Sequence, residues 1–160
     1  MVKIREAARA AITAYGLATE KGGNASIPLQ DVAESLAAFY LTNFTAFTLG
    51  KITVLPNDPV PGVLRQLRLL NESGIGTDIR PRGGKVEVVS SESAICWVTF
   101  EIFPRTRAVT RWTWTNVYGF RLERGRSNGL EGGWEFTNPD QEFQTLLERV
   151  PTFYTGGKVG

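Results

Sequence analysis

The chain has 160 residues, which is enough for one domain with a substantial hydrophobic core. Its composition, with 42% hydrophobic and 21% charged residues, is ordinary for a globular protein, and a net charge of +2 is too small to indicate nucleic-acid binding. Because the sequence has no histidine and one cysteine, it excludes a zinc site, a Cys–His or Ser–His–Asp centre and an internal disulfide. We expect neither a metal nor a cofactor.

The sequence also restricts where the protein is found. No apolar run approaches the roughly 20 residues that a membrane span needs. Lys3 and Arg5 are followed by Glu6 rather than by an apolar segment, which argues against a signal peptide. An organelle presequence stays open as an alternative, because Arg9 and a run of alanines follow. The single cysteine, Cys96, fits a reducing compartment, and we expect a cytoplasmic location.

The first half of the chain is predicted to hold three helices and one short strand. The helices follow from apolar residues at helical spacing, and the strand from a short aromatic run before a glycine. In chain order they are a helix over residues 2–19, a helix opened by Ser26 or Pro28, a strand over residues 44–49, and a helix from Pro61 to near Gly74.

The second half is predicted to be an antiparallel meander with a final helix. Its parts are strands 77–82 and 85–90 joined by a two-residue turn at Gly83–Gly84, a long pair over 93–103 and 109–122, a strand over 132–136, and a helix capped by residues 138–140 and ended by Pro151. Helices segregated from an antiparallel sheet indicate an α+β fold. We expect a single domain over residues 1–160, with the tail 155–160 frayed.

The long strand pair is the strongest pattern in the chain, because apolar and polar residues alternate along both strands. With residues 104–108 as the connection, one register combines an opposite-charge pair, a threonine pair and an aromatic pair, which stabilise sheets. It places Glu101 opposite Arg111, Thr99 opposite Thr113, and Phe100 opposite Trp112. Long twisted strands of this kind predict a cone-shaped curved antiparallel sheet, with three helices on its concave face and a short C-terminal helix.

The arrangement resembles the nuclear transport factor 2-like (NTF2-like) superfamily, which includes SnoaL-like proteins and ketosteroid isomerase. The resemblance covers about residues 2–137. It rests on the paired N-terminal helices, the helix from Val60 to Asn71 before the sheet, and the ending formed by residues 117–121 and 133–136. The resemblance implies a dimer that packs through the outer sheet face and holds a small apolar ligand in the cone. It also implies that Tyr15 matches a first-helix tyrosine of the family.

The chain departs from the catalytic members of that superfamily at the positions where an acid is expected. The first strand carries Thr45, Phe47 and Leu49 there, and the inward positions of the long strand carry no carboxylate. The isomerase machinery is therefore not recognisable. We interpret the chain as a small-molecule-binding domain or a cofactor-independent isomerase, cyclase or hydratase. The alternative is a non-catalytic dimerisation or protein-binding module with a filled core.

An aromatic-lined pocket is the predicted functional site, because aromatic walls with a few polar tips are typical of small-molecule sites. The predicted ligand-binding residues are Tyr15, Phe47, Cys96, Val98, Phe100, Trp112, Trp114, Asn116 and Tyr118. The candidate catalytic residues are Tyr15, Asp58, Asn116 and Tyr118. Asp58 lies in an Asn-Asp-Pro turn, where capping is the commoner role. A cavity is expected beside Trp112, Trp114, Asn116 and Tyr118.

Two surfaces complete the sequence-based picture. The second face of the strand pair is too apolar for an ordinary solvated face, so it is the expected homodimer interface. Its residues are Ile95, Trp97, Thr99, Thr113, Thr115 and Val117. Basic residues at the two hairpin tips, namely Arg80, Arg82, Lys85, Arg105 and Arg107, raise the alternative of an anionic ligand or nucleic acid. Solvated charges are the commoner explanation, so nucleic-acid binding is not expected.

Overall fold

The structure of the protein is a computed structural model that describes residues 3–159. It contains four α-helices, two short 3-10 helices and six strands. The helices are α1 (Ile4–Glu20), α2 (Leu29–Ala37), α3 (Val60–Glu72) and α4 (Asp140–Arg149), with 3-10 turns at Lys21–Gly23 and Phe153–Thr155. The strands are β1 (Tyr40–Thr48), β2 (Lys51–Val54), β3 (Ile79–Val88), β4 (Ser93–Ile102), β5 (Trp112–Leu122) and β6 (Gly132–Asn138).

The strands form one sheet in the order β2-β1-β6-β5-β4-β3. All neighbours are antiparallel except β1 and β6, which run parallel. The α+β class and the cone-shaped sheet are confirmed, with the correction that the sheet is mixed. Helix α1 lies across the concave face, whereas α3 packs against α2 and leaves space between itself and the sheet.

The concave face carries the residues that alternation along the strands assigned to it. In β4 and β5 the inward side chains are buried, among them Cys96, Val98, Asn116 and Phe120. Along β4 the pattern alternates between buried and half-buried at every residue after Ala94. Because the side-chain period of a strand is two, alternation alone determined which residues point inward.

The predicted pairing of β4 with β5 is wrong by two residues. Glu101 lies opposite Thr113, Thr99 opposite Thr115 and Phe100 opposite Trp114. The connection runs from residue 103 to 111 and is longer than the five residues expected. A shift of two residues keeps every side chain on its predicted face. Thr99 still pairs with a threonine, but with Thr115 in place of Thr113, and the two hydroxyls lie 2.7 Å apart.

The predicted hairpin turn at Gly83–Gly84 is also wrong, because β3 runs through both glycines without a break. A type I′ turn requires positive φ at both central residues, and neither glycine has it. The pairing with β4 instead slips by one residue between Pro81 and Gly83, as in a β-bulge. The two glycines therefore lie within a long edge strand, next to its bulge, and do not form a turn that reverses the chain.

A hairpin forms where none was predicted, between β1 and β2. Leu49 and Gly50 form its two-residue turn with φ of 50° and 84°, which are the left-handed angles such turns need. Leucine rarely adopts them, so the sequence carries little signal for this turn. The Asp140 carboxylate accepts a hydrogen bond from the Leu49 backbone N–H at 2.7 Å and holds the turn in place.

One contiguous buried cluster forms the core and joins α1, α2, the concave sheet face and α4. The C-terminal stretch reaches back to this core. The Val159 backbone N–H donates to the Ser73 carbonyl at 2.8 Å, and the Val159 side chain packs against the cluster. No helix within residues 3–159 has the length and apolar character needed to cross a lipid bilayer.

Candidate functional site: an aromatic cavity around Glu142

A cavity of about 770 Å³ lies between the concave face of the sheet and the helices α3 and α4. The β1–β2 hairpin forms a further wall. The volume falls within the range of roughly 300–1,000 Å³ that is typical of small-molecule sites. The core under the helices is therefore not filled throughout.

Aromatic rings form much of the inner wall. Tyr15 of α1 lies edge-on to Phe39 and to Tyr118, at centroid distances of 5.0 and 5.3 Å. The Tyr118 ring in turn lies 4.9 Å from that of Trp134. Edge-to-face pairs of this kind hold rings in defined positions. Phe39 and Trp134 do not line the cavity themselves, and they pack behind the Tyr15 and Tyr118 rings of its wall.

Polar side chains connect this wall to α4. The hydroxyls of Tyr15 and Tyr40 lie 3.1 Å apart and share a hydrogen bond. The Asn116 Nδ2 group donates to the Tyr118 hydroxyl at 3.2 Å and to the Glu142 Oε1 atom at 2.7 Å. Three tyrosines, an asparagine and a carboxylate thus lie together in one polar cluster of the cavity wall.

Glu142 is the acidic residue of this cavity within the described chain. Protein atoms surround the Glu142 side chain on most sides, and the part that faces the cavity keeps some exposed surface. Its Oε2 atom accepts a hydrogen bond from Gln66 Nε2 of α3 at 3.2 Å. Burial raises the pKa of Glu142 to about 6, against the opposing effect of the hydrogen bonds from Asn116 and Gln66.

The tyrosines of the cluster remain neutral phenols at physiological pH. Burial raises the pKa of Tyr40 to about 12, and the charge of Glu142 contributes to the rise. The pKa of Tyr118 is raised for the same two reasons, and that of Tyr15 is raised by burial and by the neighbouring phenols. These hydroxyls can therefore donate hydrogen bonds but do not titrate near neutral pH.

Two buried polar atoms on lining residues have no hydrogen-bond partner among the described residues, namely Asn116 Oδ1 and Trp114 Nε1. An unpartnered buried polar group costs about 1–3 kcal/mol. Such groups are rare in a packed core, and each one needs a reason. Both atoms belong to β5 side chains of the inner wall, and neither is itself exposed to the cavity.

The predicted site residues divide into two groups. Tyr15, Phe100, Trp114, Asn116 and Tyr118 line the cavity, and the structure brings them together as the sequence pattern proposed. Their role toward a ligand stays a prediction.

The remaining predicted residues lie elsewhere. Cys96 and Val98 are fully buried in the sheet-facing core, and burial raises the pKa of the Cys96 thiol to about 12. Phe47 does not line the cavity; it is 41% exposed and packs edge-on to Phe136 of β6. Trp112 does not line the cavity, because its Nε1 group donates to Thr145 Oγ1 at 2.9 Å and the Arg149 guanidinium covers its ring.

Asp58 is placed as a turn residue. Its Oδ1 atom accepts a hydrogen bond from the backbone N–H of Val60 at 3.1 Å, at the start of α3. That position matches the capping role expected of an Asn-Asp-Pro turn. Within residues 3–159, no three Cys, Asp or Glu side chains come together as a metal site would require.

Sequence reasoning missed Glu142, Gln66 and Tyr40. Glu142 carried a signal, because it precedes Leu146 by four residues and so lies on the buried stripe of α4. An acid at a buried position of an amphipathic helix is uncommon and usually paired or functional. Tyr40 carried no signal, because β1 was predicted to begin four residues later.

Gly83–Gly84 is not a hairpin tip, but Arg80 and Arg82 lie beside the Phe103 ring at the end of β4, 3.9 and 5.4 Å from its centroid. Arg80 pairs with Asp78 at 2.9 Å, and Arg82 pairs with Glu101 at 2.6 Å. Arg111 also approaches Glu101, at 3.5 Å. On the outer sheet face, Ile95, Trp97 and Val117 are each half-buried within one chain.

Comparison with known proteins identifies the fold. No protein-family model matches the sequence, and no curated protein does. Among solved structures, an NTF-2-like protein from Shewanella oneidensis is similar with a TM-score of 0.58 and 9% identity, over 84% of this chain and 96% of that one. A candidate scytalone dehydratase from Novosphingobium aromaticivorans is similar with a TM-score of 0.57 and 9% identity, over 84% and 80% of the two chains.

A third similar structure is a hexachlorocyclohexane dehydrochlorinase (LinA type 3) from Novosphingobium barchaimii. Its TM-score is 0.55 and its identity 13%, over 84% of this chain and 86% of that one. The chain therefore has the NTF2-like fold, which confirms the resemblance drawn from the sequence. Identities this low establish the fold and leave the activity to be argued from the site.

Proposed function

From an NTF2-like fold with an open interior, we propose that the protein binds a small, mainly apolar molecule inside the cone. The observation that carries this proposal is the cavity of about 770 Å³ with aromatic walls and a polar cluster on one side. A few convergent polar groups in an apolar cavity fix the orientation of a ligand, while the apolar walls supply most of the affinity. The non-catalytic module with a filled core is disfavoured by the same cavity.

The test is a cavity-filling variant. Val63 of α3 lines the cavity, so Val63→Trp places an indole in the ligand's space. Leu17→Trp is the matched control, because Leu17 is 60% exposed and does not line the cavity. Titration with an apolar fluorescent dye should show binding to the wild type and to Leu17→Trp, and loss of binding in Val63→Trp. Equal dye binding by all three proteins would refute the proposal. Native mass spectrometry of the purified protein would identify any ligand that copurifies with it.

A second candidate is a cofactor-independent isomerase, cyclase or hydratase. Glu142 favours it, because a carboxylate with a pKa of about 6 that faces a cavity is suited to accept a proton from a bound molecule near neutral pH. The neutral phenols of Tyr15 and Tyr118 would donate hydrogen bonds to a developing negative charge. Two of the similar folds carry the names scytalone dehydratase and dehydrochlorinase, but at 9% and 13% identity they show the fold alone, so the candidate depends on this chain's own carboxylate.

Proton abstraction can be tested without knowing the substrate. The elimination of a nitrobenzisoxazole requires only a carboxylate base in an apolar site, so it serves as a probe. The rate should rise with pH through about 6 as Glu142 ionises. Glu142→Gln should abolish the rate, and Glu148→Gln, on the same helix but 68% exposed, should retain it. A rate that is the same in wild type and Glu142→Gln rules out this role.

The proposed assembly is a homodimer through the outer sheet face, defined by Ile95, Trp97, Thr113, Thr115 and Val117. Half-buried apolar side chains on that face support it, because a second chain would remove them from water. Light scattering at micromolar concentration should report a dimer for the wild type and a monomer for Val117→Arg. A monomeric wild type would contradict the dimer and leave the cavity proposal intact.

A further inference from the structure

Within residues 3–159 the Glu142 carboxylate has no counter-ion, and this restricts the chemistry of the ligand. Among residues 3–159, none of the ion pairs involves Glu142, and its hydrogen-bond donors, Asn116 and Gln66, are neutral amides. Buried carboxylates are normally paired, because taking an ion out of water is costly. Here the carboxylate faces a cavity that is open to solvent on one side and large enough for a ligand.

The surroundings of the carboxylate are aromatic. Besides burial, the charge of Glu142 raises the pKa of Tyr40, Tyr118 and Tyr154, so these three phenols lie within its electrostatic reach. Trp114 and Phe44 line the same cavity. The faces of aromatic rings attract organic cations by about 0.5–2 kcal/mol each, and more when water is excluded.

We infer that the ligand of the cavity is an organic cation, with its ammonium group against the Glu142 carboxylate and its apolar body against the aromatic wall. This inference rests on the proposed binding function and specifies the class of its ligand. The ammonium group supplies the counter-ion that Glu142 does not find among the described residues. Carboxylate oxygens have about four acceptor sites, so those not used by Asn116 and Gln66 remain for the ligand.

Other charged groups near the cavity do not fill this role. Lys51 of β2 and Arg65 of α3 line the cavity but are exposed to solvent, and water and salt screen their charges from its interior. The only hydrogen bond of the Arg65 guanidinium among the described residues is to the backbone carbonyl of Tyr154, at 3.3 Å. An anionic ligand held at this outer rim is the competing arrangement, and the experiment below separates the two.

The experiment compares three probes with the same ring and different charge: naphthylmethylamine, naphthylmethanol and naphthoic acid. Calorimetric titration of the wild type at pH 7.5 should give an amine affinity about ten-fold or more above that of the alcohol, with the acid weakest. In Glu142→Gln the amine should fall to the affinity of the alcohol, whose binding stays unchanged. Glu148→Gln should behave as the wild type, since Glu148 lies on the outer side of α4.

The pH dependence provides a second readout. The groups facing Glu142 are Gln66 of α3, Asn116 and Tyr118 of β5, Tyr40 of β1, Tyr15 of α1 and Tyr154 after α4, with Lys51 and Arg65 at the rim. The amides do not titrate, and the four phenols stay neutral between pH 5 and 8 because burial raises their pKa values. Amine affinity should therefore rise about ten-fold from pH 5 to pH 8 as Glu142 ionises, and the affinity of the alcohol should not change.

The outcomes separate the two proposals. If amine and alcohol bind the wild type equally, the cation class is wrong and the cavity function stands. If the acid binds best, the rim cations select the ligand and the inference is overturned. If no probe binds and Val63→Trp has no effect on dye binding, the proposed function fails together with the inference.

Discussion

Replacement of Glu142 by glutamine should make the protein more stable at neutral pH. The side chains have nearly the same shape, and glutamine can still accept a hydrogen bond from Asn116 or Gln66 through its carbonyl oxygen. The change therefore removes the buried charge and little else. Removing an unpaired buried charge is commonly neutral or stabilising.

The magnitude follows from the pKa of Glu142. Folding raises it from 4.5 to about 6, and a rise of about 1.5 pKa units at 1.36 kcal/mol each corresponds to about 2 kcal/mol. The folded protein holds this proton more tightly than the unfolded chain does. Stability from this group is therefore complete below pH 4.5 and is lost as the pH rises through about 6.

The assay is urea unfolding of wild type and Glu142→Gln at pH 4 and pH 8, because the difference between the two proteins cancels all other titrating groups. The stability of Glu142→Gln relative to wild type should increase by about 2 kcal/mol from pH 4 to pH 8. For a chain of this size that is roughly 4–8 °C in melting temperature. Glu148→Gln, at a 68% exposed position, is the matched control and should change by less than about 0.5 kcal/mol.

Two results would refute the reasoning. A difference that is the same at pH 4 and pH 8 would mean that Glu142 has the same pKa in the folded and unfolded states. A difference that moves in the opposite direction would mean that the charged carboxylate is stabilised by its surroundings. In either case the argument for an unpaired buried charge, and with it the selection of a cationic ligand, loses its basis.

Three further predictions test the description of the site and the core. Tyr15→Phe should lower the free energy of unfolding by about 1 kcal/mol, because it removes the hydrogen bond to Tyr40. Tyr154→Phe, at a 43% exposed residue, is the control and should lower it less. Equal losses in the two variants would contradict the Tyr15–Tyr40 hydrogen bond. Gly119→Ala should destabilise the protein by about 1–3 kcal/mol, because an added Cβ overlaps the Phe136 ring. In Gly62→Ala of α3 the added Cβ meets no atom within 4 Å, so this variant should be more stable by up to about 1 kcal/mol. Alkylation of Cys96 by iodoacetamide at pH 8 should be about a thousand-fold slower in the native protein than in urea, because burial raises the pKa of the thiol from 9.0 to about 12. Rapid native labelling would show that the thiol is reachable.

Alternation along the chain was enough to determine which residues of β4 and β5 face the concave side. The period of two in a strand is a local property, so Trp114, Asn116 and Tyr118 could be assigned to the inner face from the sequence alone. The paired N-terminal helices and the closing strand indicated the NTF2-like fold in the same way. Which residues pair across two strands is not a local property. The predicted register was wrong by two residues because the connection was predicted to span residues 104–108, whereas it spans 103–111.

Only the tertiary structure decided what stands across the cavity from that inner face. Glu142 is 26 residues from Asn116 and 76 from Gln66 along the chain, so no local pattern could show that α4 and α3 bring these three side chains into hydrogen-bond contact. The space itself is equally non-local, because it exists where α3 packs on α2 and stays clear of the sheet. Sequence patterns determine the faces of elements, whereas the distance between elements depends on how the whole chain packs.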